Sequence, residues 1–110
     1  MAFFLVTMTH PDGDGWGRHV GPHVDYLRSL IDAGKIRASG PATGLGKRAG
    51  FIIMTVEDEE EARRLVAGDP FAIEGLIDDL TVLKWDPKYG AFSGESSISN
   101  QATQGFITGQ

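Results

Sequence analysis

Imidazole is the side chain whose ordinary pKa lies nearest neutrality, and His23 is the histidine with the most suggestive setting. It lies in Pro22-His23-Val24-Asp25-Tyr26-Leu27-Arg28-Ser29-Leu30-Ile31-Asp32-Ala33-Gly34, which opens on proline and closes on glycine. Those are the expected ends of a helix. Wound at about 100° per residue, Val24, Leu27, Leu30 and Ile31 share one side, while Asp25, Arg28, Ser29 and Asp32 share the other. His23 falls within the apolar arc, so a titratable ring is aimed inward. Such a ring is either a neutral imidazole satisfied near the helix start or a general acid or base. A carboxylate that orients it favours the second role. Asp69 is the candidate partner. An aspartate before proline, as in Asp69-Pro70-Phe71, is a standard helix N-cap. One carboxylate oxygen can cap while the other holds an imidazole.

Other constellations are weaker. Asp12-Gly13-Asp14-Gly15 resembles the start of a calcium loop but lacks its third acidic ligand and distal glutamate. His19 and His23 have the i,i+4 spacing of a zinc helix, but Gly21-Pro22 between them argues against one continuous helix, and no third ligand is evident. No metal site is therefore expected. The glycines form no phosphate-binding fingerprint, and no serine sits in a nucleophile elbow.

The elements that must position His23 and Asp69 follow from patterning. Phe3–Thr9 is a strand with apolar side chains on both faces, and His10–Gly17 reads as a loop. Lys35–Ser39 is a short strand running into Gly40-Pro41. Thr43–Gly50 is a glycine-rich turn, and Phe51–Val56 is a second strand apolar on both faces. Asp58 and Glu61 have capping-box spacing, and acids crowd the first turn of the helix that follows. Glu59/Arg63 and Glu60/Arg64 are favourable i,i+4 pairs, Ala62, Leu65 and Val66 form the buried stripe, and Gly68 ends the helix. Asp69 caps a short helix reaching about Gly75, and Leu80–Trp85 is the last strand.

The order β-α-β-β-α-β predicts an α+β, ferredoxin-like fold, with a four-stranded antiparallel sheet and both helices on one face. The first and third strands are then central. The helices cover only one face of such a sheet, which leaves either the Phe3/Leu5 or the Phe4/Val6 set in water. An exposed patch of that size predicts a homodimer packed sheet to sheet.

Composition narrows the function. With 110 residues, 41% hydrophobic and 23% charged, this is one ordinary globular domain. The absence of cysteine excludes thiol chemistry and agrees with a cytoplasmic setting. A net charge of −5 counts against nucleic-acid binding. The apolar start lacks a basic n-region and reads as a strand, and no apolar run approaches the roughly 20 residues of a membrane span. Residues 87–110 change composition to glycine, serine, threonine and glutamine, yet Tyr89, Phe92, Ile98, Phe106 and Ile107 are spaced through them. This extension is expected to dock on its own domain or on a neighbouring subunit, the latter giving an assembly beyond a dimer.

Several pieces together resemble the YciI-like (YCII-related) family of the dimeric α/β-barrel superfamily. They are His23-Val24-Asp25-Tyr26-Leu27, Ala33-Gly34-Lys35, Ser39-Gly40-Pro41, Glu60-Glu61-Ala62-Arg63, Asp69-Pro70-Phe71, Gly75-Leu76 and the strand ending at Trp85. The resemblance covers about residues 2–86, within a domain expected over 1–86, and implies a ferredoxin-like dimer with a histidine–aspartate pair in a pocket, carried onto His23 and Asp69. Phe71, Gly40 and Pro41 are expected to line the pocket. Characterised relatives include a dehydrochlorinase acting on a chlorinated hydroxyquinol. The implied activity is a cofactor-independent lyase or isomerase acting on a small cyclic or aromatic-derived substrate. The alternative is a non-catalytic dimeric protein that binds a small molecule. Val20 stands where many members carry an arginine three residues before the histidine, and Arg18 is displaced by two positions.

Overall fold

Alternation decides which residues of the first strand face the helices. In β1 (Ala2–Thr9), Phe4, Val6 and Met8 are buried in the core, so Phe3, Leu5 and Thr7 point to the opposite face. The computed structural model describes residues 1–96. After β1 come α1 (Gly15–Asp32), β2 (Ile36–Ala42), β3 (Ala49–Val56), α2 (Glu59–Ala67), α3 (Pro70–Ile73) and β4 (Leu80–Trp85), with a 3₁₀ turn at Ser93–Glu95. The sheet is antiparallel in the order β2-β3-β1-β4, which is the ferredoxin-like arrangement with β1 and β3 in the centre. In register, Phe4 faces Met54, Val6 faces Ile52 and Met8 faces Gly50. This inner face packs on Ala62 and Val66 of α2 and on Leu27 and Leu30 of α1.

Helix α1 starts at Gly15, a full two turns before the expected start at Pro22, and takes over part of the predicted loop. Pro22 lies inside the helix. It has no N–H for the Arg18 carbonyl, a loss tolerable on this exposed part of the helix. Gly21-Pro22 therefore does not separate two segments, and His19 and His23 share one helix. At the other end Gly34 has φ 77°, the left-handed conformation that lets the chain turn into β2. Strands β2 and β3 also exceed their expected bounds: β2 runs through Gly40 and Pro41, and β3 begins at Ala49.

The caps of α2 follow the sequence closely, with one change. Asp58 accepts the Glu61 N–H at 2.8 Å, while the Glu61 carboxylate reaches the N–H of Glu57 at 2.7 Å, one residue before the cap. Glu59 pairs with Arg63 at 2.7 Å, but Arg64 turns to Glu61 at 3.7 Å instead of Glu60. Glu61 thus gathers Glu57 N–H, Lys35 and Arg64, and chiefly the first two hold its carboxyl below the ordinary glutamate range. The stability this adds is complete above that ordinary range and is lost as pH falls through the depressed value. Thermal melts between neutral and acid pH are expected to show that loss, and Glu61→Gln is expected to flatten it.

The described part of the extension lies on the outer sheet face. Phe92 packs on Phe3 at 5.4 Å and on Trp85 at 6.5 Å between ring centroids, and Arg37 sits 5.0 Å above the Phe92 ring. Arg37 also forms a two-pronged ion pair with Glu95, and Ser96 donates to Asp86 at 2.6 Å. These contacts cover the Phe3 end of the outer face. Ile98, Phe106 and Ile107 lie outside the described residues.

Candidate active site

Asp69 is placed by two adjacent turns of chain. The end of α2 runs through Gly68 into Asp69, which caps α3 by accepting the Phe71 N–H on Oδ1 at 2.8 Å. The carboxylate is buried, 2% exposed, and its second task is to meet a ring from α1. His23 Nδ1 lies 2.7 Å from Oδ2 and 2.9 Å from Oδ1. A carboxylate only accepts, so Nδ1 carries the proton and Nε2 is the ring's second, basic nitrogen. The imidazole stacks on Phe71 with centroids 4.2 Å apart and planes at 25°. One short segment, Asp69–Phe71, therefore fixes both the tautomer and the plane of His23.

Tyr26, one turn along α1, supports the same corner. Its hydroxyl donates to the Leu65 carbonyl at 2.6 Å, an oxygen that also accepts the Gly68 N–H at the end of α2. Burial first, and then the charge of Asp69, push the Tyr26 hydroxyl above its ordinary pKa. Gly68 is held to glycine by this contact, since a Cβ there would lie 2.6 Å from the Tyr26 hydroxyl oxygen. Gly68→Ala is expected to cost about 1–3 kcal/mol by forcing Tyr26 aside, readable as a lowered melting temperature.

His23 lines a cavity of about 820 Å³ between α1 and the β2–β3 side of the sheet. Val24, Leu27 and Ile31 form its α1 wall, and Met8 and Ile52 part of its floor. The space exists because β2 and β3 present small residues there: Ser39, Gly40, Pro41, Ala42, Ala49 and Gly50. Over this half of the sheet α1 is only partly covered, and the helix contains no fully buried residue. Gly40, Pro41 and Phe71 line the same cavity, and Asp69 lies behind His23, outside its wall.

Three further residues belong to the cavity wall. His10 ends the inward-facing series Phe4, Val6, Met8, so the period-two pattern carried one residue further identifies it. Its ring is 4.6 Å from Phe71, and Trp16, brought in by the early start of α1, is 6.2 Å from the same ring. Arg48 of the β2–β3 turn lies 4.7 Å above Trp16 and supplies a cation at the cavity. Arg18 does not: it is exposed and faces Asp14 at 3.8 Å. His19 faces Glu74 at 3.8 Å. Among the described residues no group of three or more His, Asp or Glu side chains is placed to hold a metal ion. No helix among them is long and apolar enough to cross a membrane.

A ferredoxin-like sheet, a helix-borne histidine oriented by a buried aspartate and a cavity over the small-residue strands define a small α+β domain with an open cavity beside a histidine–aspartate pair. Residues 1–86 match the YCII-related domain, and the chain belongs to that family. Among solved structures it is similar to 5-chloro-2-hydroxyhydroquinone dehydrochlorinase from Burkholderia phenoliruptrix AC1100, in complex with 2,5-dihydroxybenzoquinone. The two are 28% identical, with 76% of this chain and 92% of that one covered and a TM-score of 0.66. The protein At3g17210 from Arabidopsis thaliana is a more distant likeness at 15% identity, 83% and 99% coverage and a TM-score of 0.49. No curated protein matches the chain.

Proposed function

We propose that this protein is a cofactor-independent enzyme of lyase or isomerase type acting on a small hydroxylated ring compound, with His23 and Asp69 as its acid–base pair. The observation that carries the reading is the Nδ1–carboxylate contact of 2.7 Å behind a ring that lines a cavity of about 820 Å³. That volume suits a small organic molecule. The likeness to the dehydrochlorinase adds the class of substrate. Neutral His23 takes a hydroxyl proton on Nε2, and Asp69 stabilises the imidazolium that results. The proton then returns to a ring carbon or to a leaving group. General acid–base help of this kind is worth about 10²–10⁴ in rate.

The direct test is anaerobic incubation with 5-chloro-2-hydroxyhydroquinone, following chloride release. Chloride release above the uncatalysed rate is the expected result. Binding of 2,5-dihydroxybenzoquinone without turnover of any chlorinated or lactone ring substrate would favour the accessory, ligand-binding alternative.

The same reading makes residues 1–86 the working domain and residues 87–110 an extension folded back onto it. It also makes the uncovered part of the outer sheet face a self-association surface. Leu5 sits between Ile53 and Leu83 in register there, and Leu83 and Phe51 are 58% and 37% exposed. A second copy of the chain offers the same apolar patch in return. Leu83→Glu is expected to convert a dimer to a monomer in light scattering without altering the fold seen by circular dichroism.

A further inference from the structure

His10 is a buried titratable ring that the His23–Asp69 chemistry does not use. It is 4% exposed and fastened on three sides. Its backbone N–H donates to the Arg48 carbonyl at 2.9 Å, its ring Nδ1 lies 2.7 Å from the Leu76 carbonyl, and its ring packs on Phe71. A carbonyl only accepts, so Nδ1 bears the proton and Nε2 carries the lone pair. Nε2 has no hydrogen-bond partner among the described residues, and the ring lines the same cavity as His23. A histidine kept only for packing has no need of a fixed tautomer that leaves its basic nitrogen unused in a pocket wall. His10 and His23 share Phe71 as their common support, so two Nε2 acceptors are held at one end of one cavity.

Two acceptors fit a substrate with two acidic hydroxyls. Elimination of hydrogen chloride from a chlorinated ring polyol requires two such groups. In the first stage one O–H breaks and becomes C=O, while the carbon bearing chlorine gains a hydrogen. In the second stage another O–H breaks, and its electron pair moves through the ring as a second C=O. The C–Cl bond then breaks, and chloride leaves with its pair. The sum is one proton and one chloride lost, with no oxidant required. His23, paired with a carboxylate, suits the stage that takes a proton and gives it back to carbon. We propose that His10 is the second proton acceptor, receiving the other hydroxyl proton as chloride departs, and that the preferred substrates are rings bearing two separated hydroxyls. This inference rests on the proposed function.

The test uses the full chain labelled with ¹⁵N-histidine, with 2,5-dihydroxybenzoquinone as the binding probe and 5-chloro-2-hydroxyhydroquinone as the substrate. The free protein is expected to show His10 as the Nδ1–H tautomer, and the probe should move the Nε2 signals of both His10 and His23. His10→Gln is expected to lower kcat about 10²-fold with little change in KM. If the wild-type protein neither binds the probe nor releases chloride, the proposed function falls and this inference with it. If it turns over and His23 responds, but the His10 Nε2 signal stays still or His10→Gln keeps its kcat, this inference alone is overturned. Should His10→Gln fail to fold, the signals of the wild-type protein decide.

Discussion

His23→Ala is expected to lower turnover by about 10²–10⁴-fold while the protein stays folded. The size of the loss follows from the absence of any other carboxylate-paired imidazole on the cavity wall among the described residues. The substitution has a structural cost as well, because Asp69 keeps the Phe71 N–H but loses its ring partner. A buried polar group deprived of a partner typically costs about 1–3 kcal/mol, so the melting temperature should fall without loss of the cooperative transition. The emptied space opens onto the cavity, and millimolar imidazole is expected to restore part of the activity. Full activity in His23→Ala would remove the residue from the mechanism; a melting shift alone would assign it to structure.

Asp69 separates its two duties when it is changed in two ways. Asp69→Asn keeps an oxygen to accept the Phe71 N–H, so the cap on α3 and most of the stability should remain. The amide nitrogen then faces His23 Nδ1 as a donor, which turns the imidazole to the opposite tautomer and puts the proton on Nε2. A general base cannot work from that state, and an activity loss approaching that of His23→Ala is expected. The equivalent change in a serine-protease triad costs about 10⁴. Asp69→Ala removes the cap too and should add about 0.5–2 kcal/mol of destabilisation. Measured together, a stable but inactive asparagine variant assigns Asp69 to positioning the base. Asparagine and alanine variants that are equally active leave only the cap.

The legible parts of this protein were those governed by local pattern. The six-element order, the central position of β1 and β3 and the caps at Asp58 and Asp69 follow from alternation, periodicity and polar punctuation. Joining His23 to Asp69 needed the fold, because 46 residues separate them and only the docking of α1 beside α3 closes the gap. The start of α1 was misread for a specific reason. Pro22 is a good first-turn residue, but a proline also survives inside a helix whose lost bond faces solvent, and Gly15-Trp16-Gly17 carries weak helix propensity of its own. That error hid Trp16. His10 was hidden by the proline after it, which makes the segment read as loop although the inward alternation of β1 runs one step further.

The stripe of small residues on β2 and β3 has a consequence for how this protein can change. The groups proposed to handle protons stand just after β1, on α1 and at the α2–α3 junction, whereas the room in the cavity is set by small side chains on two other strands. Enlarging Ala49 or Ser39 reshapes the chamber without touching the His23–Asp69 contact, so reactivity and selectivity are free to drift independently. A scaffold divided in this way retains its reagent while exchanging its clientele.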